Sequence, residues 1–175
     1  MAVGYKFIEA PKGNIEELCR FETVQRIAGG ANLEESGEGV LYPLTPLVID
    51  KKNRTAKVCV RLRLAGPGIV EHLNGVKVGM TLSDGTESYT VGGIEEVEGG
   101  FKLDGVAGTA EDVLFEAEGT EQKDTPTDLL YATTPYKDNE TITFVYRAFE
   151  IEEANLFAPL TDEDKEALGD RFYYI

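Results

Sequence analysis

The sequence has no tryptophan, one histidine and two cysteines among its 175 residues, and each scarcity removes a class of chemistry. His72, Cys19 and Cys59, with no CxxC pair, cannot supply an ordinary structural zinc site. Any histidine-dependent triad would have to use His72, which lies in EHLNG beside a turn signal and reads as an exposed loop residue. Both cysteines read as small buried hydrophobes of a reducing compartment. No run of about 18 apolar residues exists, so no membrane-spanning helix is expected. The opening MAVGYKFIEAPKG lacks the apolar core of a signal peptide. Basic residues are also few: 17 Lys+Arg against 32 Asp+Glu leave a net charge of −15, which phosphate backbones repel. Neither nucleic acid nor membrane is an expected partner.

The remaining chemical motifs fail on their context. Glu95-Glu96 and Glu152-Glu153 are adjacencies that a chain this acidic produces anyway, not the spaced pair a glycosidase needs. GGIEEVEGG and GPG lack the Lys-Ser/Thr ending of a phosphate loop. DGTESYT and DGVAGTAED do not match a calcium loop. The expectation is a non-enzymatic protein with no catalytic residue, no metal site and no cofactor.

What is present is a β-patterned chain long enough to bury a core without disulfides. Alternation over 56–65 puts Val58, Val60, Leu62 and Leu64 on one face and Lys57, Arg61 and Arg63 on the other. A second long strand is expected over 141–149. Pro43 and Pro46 restrict VLYPLTPLVID to edge or irregular pairing. Residues 14–27 read as a helical turn, with Asn14 and Glu17 as a capping box, leading into a strand. Between Gly66–Gly68 and the polar 120–128 connection the composition changes: residues 84–121 hold one basic and eleven acidic side chains. Asn74-Gly75, Asp84-Gly85, Gly99-Gly100 and Asp104-Gly105 suit tight turns there. The expected organisation is a β-domain of residues 1–67 plus 120–175, interrupted by an inserted acidic, glycine-rich all-β module at 68–119.

Helix is expected only at the C-terminal end. Thr161 with Asp164 three positions on forms a capping box, Asp162 and Glu163 suit a helix N-terminus, and Gly169 follows Leu168 as a stop. A helix over 161–168 is too short to stand alone, so it has to pack on something. The aromatic residues from Tyr131 to Tyr174 read as core rather than as a ligand cage.

Six residues are candidates for partner contact. Tyr5, Phe7 and Ile8 form an apolar group in an N-terminal arm that has little else to bury it. Lys57, Arg61 and Arg63 are the one concentrated basic feature; they either pair with the chain's own acids or face an acidic partner.

Two blocks, together under half of the chain, resemble tailed-bacteriophage head decoration (cement) proteins. In GEGVLYPLTPLVIDKKNRTAKV, residues 44–47 (LTPL) stand where the family has Gly-Thr-Pro-Leu, and 50–54 stand for its turn. ITFVYRAFEIEEANLFAPLTDEDKEALGDRFYYI is similar to the family's end: a strand, a connector, an L-T-D-E-x-K-x-A-L helix and a closing strand at 172–175. Ala148 replaces the usual glycine of the penultimate strand, and the acidic insert lengthens the chain. The resemblance implies a decoration-protein-like β-domain made in the bacterial host cytoplasm. It further implies a place on the virion's capsid surface, binding and stabilising the major capsid protein lattice, and a homotrimer. A head-fibre base or another auxiliary capsid protein remains open within that reading. The alternative is a carbohydrate- or receptor-binding β-module of a tail or fibre adaptor, against which the lack of tryptophan weighs.

Overall fold

The computed structural model describes residues 14–27 and 30–175, so Tyr5, Phe7 and Ile8 lie outside the described residues. Over the described residues the chain is mainly β with one short C-terminal α-helix. Two eight-stranded sheets carry it. In the first, Gln25–Arg26, Phe144–Ile151, Asp128–Leu130, Pro46–Asp50, Thr55–Val58, Ala31–Leu33 and Thr141–Ile142 lie side by side in that order, with Phe172–Tyr174 against Phe144–Ile151. Thr141–Ile142 pairs at one end of this order, and after Thr143 the same stretch enters Phe144–Ile151 near the other end. The sheet thus bends back on itself, which reduces exposed strand edge. In the second sheet the order is Gly93–Val97, Gly100–Asp104, Ile69–Val70, Arg61–Gly66, Val113–Glu118, Thr81–Ser83 and Ser88–Thr90, with Glu121–Gln122 beside Val113–Glu118.

The expected strand over 56–65 is two strands in two sheets. Thr55–Val58 belongs to the first sheet and Arg61–Gly66 to the second. Residues 59 and 60 hand the chain over: the Cys59 amide still donates to the Pro46 carbonyl (2.9 Å), while the Val60 carbonyl accepts from Glu116 (3.1 Å). Val58, Cys59, Val60, Arg61 and Leu62 are all buried, because a chain crossing between packed sheets is covered on both faces. Period-two alternation stops there, and Arg61 leaves the outward basic face on which alternation would put it.

One apolar cluster joins the sheets, with Leu47, Val58 and Phe144 from the first and Leu64, Leu82, Leu103 and Leu114 from the second. The expected boundary at 67/68 falls inside a hairpin, since Leu64 pairs with Val70 and Gly66 with Ile69. The glycine-rich stretch is therefore a second layer on a common core, and its sheet begins before the expected insert does. Gly75, Gly85, Gly99 and Gly105 have positive φ at the turns the sequence marks, but Gly100 opens the strand Gly100–Asp104 instead of sitting in its turn. At Gly100, where φ is +157°, a Cβ would meet the Val70 carbonyl oxygen at 2.1 Å.

A second cluster gathers Ile15, Leu18, Leu44, Val145, Leu160, Leu168 and Phe172. It holds the helix Asp162–Leu168, whose capping box forms between Thr161 and Asp164 as the sequence indicates. The closing strand Phe172–Tyr174 runs parallel to Phe144–Ile151. The Asn14–Glu17 capping box does not form; Ile15–Glu17 is a single 3-10 turn without a side-chain cap. Pro46 does not confine its strand to an edge. It is the first residue of Pro46–Asp50, which pairs on both sides, and at that position its missing N–H costs no ladder bond.

Candidate functional site

The three cations expected on one face have three different environments. Lys57 is exposed on the first sheet. Arg61 has no exposed surface and ends in a closed polar site. Its Nε and Nη2 donate to the two carboxylate oxygens of Asp164, each at 2.8 Å. Nη1 donates to the Val60 carbonyl at 2.9 Å and Nη2 to that of Asp124 at 2.7 Å. Asp164 also accepts from Gln122 Nε2 (2.7 Å) and from the Thr161 amide (3.0 Å). The Thr161 hydroxyl accepts from the Asp164 amide (3.1 Å) and donates to Gln122 (2.9 Å). Bidentate guanidinium–carboxylate pairing needs this planar geometry, and every lone pair has a donor. The site fastens the helix N-terminus to the second sheet. Next to it, burial pushes the Cys59 thiol up to about 12, which leaves it inert as a nucleophile.

Arg63, on the same strand, is the open counterpart. Its side chain is 33% exposed, Nη1 donates to the Ala154 carbonyl at 3.2 Å, and Nε lies 3.8 Å from Glu111. It forms one wall of a cleft of about 250 Å³ shared with Glu71, His72, Glu111, Asn155 and Phe157. His72 is not the exposed loop residue expected: it is half-buried, its ring 4.5 Å from Tyr42 and 5.1 Å from Phe157. Tyr42 stacks on Phe157 at 4.4 Å with 16° between planes, and burial raises the Tyr42 pKa.

The aromatic residues of the C-terminal third divide between roles. Tyr136, Phe144 and Phe172 are core, Phe157 lines the cleft, and Tyr173 is 60% exposed. The cleft residues come from four separate segments, so no spacing in the sequence marks them. Chemically, the cleft offers a fixed guanidinium, two carboxylates, an amide and an aromatic wall, which is equipment for holding a small polar molecule. Among the described residues no cluster of His, Cys, Asp and Glu has metal-site geometry, and no helix is long and apolar enough to cross a membrane. Comparison with protein-family models, with curated proteins and with solved structures found no match.

Proposed function

We propose that this protein is a non-enzymatic structural component of a tailed-phage head that sits on the capsid and stabilises the major capsid protein lattice. The observation that carries the reading is Leu44. It occupies the position where the resembled motif has glycine, and its φ is +61°, the left-handed region that glycine adopts without strain. A leucine there costs about 1–2 kcal/mol, offset by its complete burial in the second cluster, which contributes about 1.5–3 kcal/mol. Glycine would adopt this backbone without strain, so the position suits the residue that the resembled motif has there. The C-terminal order of strand, connector, capped helix and closing strand supports the same reading. Ala148, where the resembled strand has glycine, is fully buried, leaving room only for a small side chain.

In this reading Tyr5, Phe7 and Ile8 anchor the chain to the lattice and Lys57 lies on the accessible surface, whereas Arg61 is committed to Asp164. Trimerisation follows from the resemblance alone. Antibody labelling of purified virions, viewed by electron microscopy, tests the assignment. Gold on heads is the expected result; gold confined to tails transfers the protein to the fibre-adaptor class.

A further inference from the structure

Arg63 apart, the cleft beside it is built of parts that nothing in the head-protein reading uses. Phe157 lines it, and its ring is held by the stacked Tyr42 at 4.4 Å and by His72 at 5.1 Å. The Arg63 guanidinium is held by its bond to the Ala154 carbonyl and by Glu111 at 3.8 Å. Glu71 and Asn155 complete a rim of exposed planar polar groups. The volume of about 250 Å³ lies just below the roughly 300–1,000 Å³ of ordinary ligand clefts.

Glu111 supplies an independent pointer. Its φ is +75°, a left-handed conformation that strains a non-glycine residue. The turn that imposes it is tightly fixed: the Glu111 amide donates to the Leu64 carbonyl (2.8 Å), the Leu64 amide to the Asp112 carbonyl (2.9 Å), and the Thr109 amide to the Asp112 carboxylate (2.6 Å). The Glu111 side chain is 82% exposed, so packing does not require it. Glycine would satisfy the backbone, yet a carboxylate stands at the mouth of the cleft.

We infer that this cleft binds a single neutral pyranose ring. The apolar C–H face of a sugar fits against the Phe157 ring. Its neighbouring hydroxyls match planar groups: the Arg63 guanidinium donating, the Glu71 and Glu111 carboxylates accepting, and the Asn155 amide, which gives one N–H to Glu152 at 2.7 Å, offering its oxygen and its second N–H. Two carboxylates against one guanidinium, on a chain of net charge −15, disfavour an anionic sugar, and the small volume disfavours an extended glycan.

Saturation-transfer NMR on the full chain with glucose, galactose, mannose and N-acetylglucosamine tests the inference. Transfer to the ring protons of one face is expected for at least one sugar, with a millimolar dissociation constant as befits a ligand of this size. Glu111→Gly is expected to weaken binding about tenfold through loss of a charged hydrogen-bond acceptor while the melting temperature stays level or rises. Phe157→Leu, which keeps apolar volume but removes the ring, is expected to abolish transfer in a protein that still unfolds cooperatively. The inference is overturned if no sugar shows transfer at millimolar concentration, or if Glu111→Gly binds as well as the parent. It is equally overturned if tetramethylammonium displaces the sugars, because the aromatic wall would then be a cage for amines. Since the readout is binding by free protein, these results do not depend on where the protein sits in a virion.

Discussion

Arg61 and Arg63 lie two residues apart on one strand, and their surroundings have little in common. Arg61 has no exposed side-chain surface and is bound to a carboxylate that is equally buried; Arg63 is 33% exposed and its acidic neighbour 82%. The difference arises from how the layers meet. Asp164 and the 122–124 segment close over Arg61, whereas Arg63 emerges where the connector before the helix and the 109–112 turn leave a gap. A charge sealed beneath a helix becomes a condition of folding, while the same charge at a gap stays available to a ligand.

The most severe way to erase this contrast is to remove the layer that creates it. Replacing residues 69–118 with a short Gly/Ser linker strips both neighbours, Ile69–Val70 and Val113–Glu118, from the Arg61–Gly66 strand. It also removes Leu82, Leu103 and Leu114 from the common core. We expect no cooperative unfolding transition by circular dichroism or calorimetry. A soluble product with a sharp melt would show that the first sheet and the C-terminal helix form an independent domain after all.

Next in size is the closed site. Asp164→Ala leaves the Arg61 guanidinium buried without its counter-charge and removes the carboxylate half of the capping box, the bond from the Thr161 amide. Breaking a buried pair from one side costs about 3–5 kcal/mol, measurable as a lower urea midpoint. Adding Arg61→Met to Asp164→Leu should recover more than half of that loss, because a well-packed apolar pair carries no desolvation penalty. The remaining loss belongs to the cap. If the double variant is no more stable than Asp164→Ala, the site's contribution is not the burial of charge.

This contrast also marks how far the sequence could be read. The helix cap was legible because Thr161 and Asp164 are three residues apart and make their bonds to each other. The turns were legible for the same reason, as was the alternation in each half of 55–66. The fate of Arg61 was not, because its partner is 103 residues away, and alternation assumes a strand with one covered face. The hand-over at Cys59 and Val60 breaks that assumption with residues that look ordinary in any strand. The cleft was further out of reach, since Tyr42, Arg63, His72, Glu111 and Phe157 meet only after both sheets are placed. His72 looked like an exposed loop residue because the ring pair that half-buries it comes from positions 42 and 157.

A smaller effect is expected at an open ion pair. Glu35 meets Lys77, and the side chains are 46% and 30% exposed. The hydrogen bond from Lys77 holds the Glu35 carboxyl below its usual 4.5. A depressed folded pKa gives stability that is fully present above the unfolded value and lost as pH falls through the folded one. Glu35→Gln should therefore lower stability at neutral pH by less than about 1 kcal/mol, as solvent screening of such a pair dictates. The gap between variant and parent should close in urea titrations run well below pH 4.5. A gap that persists in acid would assign the effect to packing against Tyr136, whose hydroxyl also reaches Glu35.

The smallest effect on stability is expected from Arg63→Ala, and its smallness is what sharpens the comparison. The pair with Glu111 is 3.8 Å long and largely solvated, a kind of contact that contributes about 0–1 kcal/mol. The bond to the Ala154 carbonyl, at 3.2 Å on an exposed rim, can be replaced by water. The melting temperature should shift by no more than a few degrees, and added salt should shrink the difference further, since exposed charges are screened over about 10 Å. The same substitution made at Arg61 should cost several times as much and respond little to salt. Equal losses at the two positions would mean that the cleft is as much a part of the folded framework as the closed site, and that Arg63 is held for packing rather than left available for a ligand.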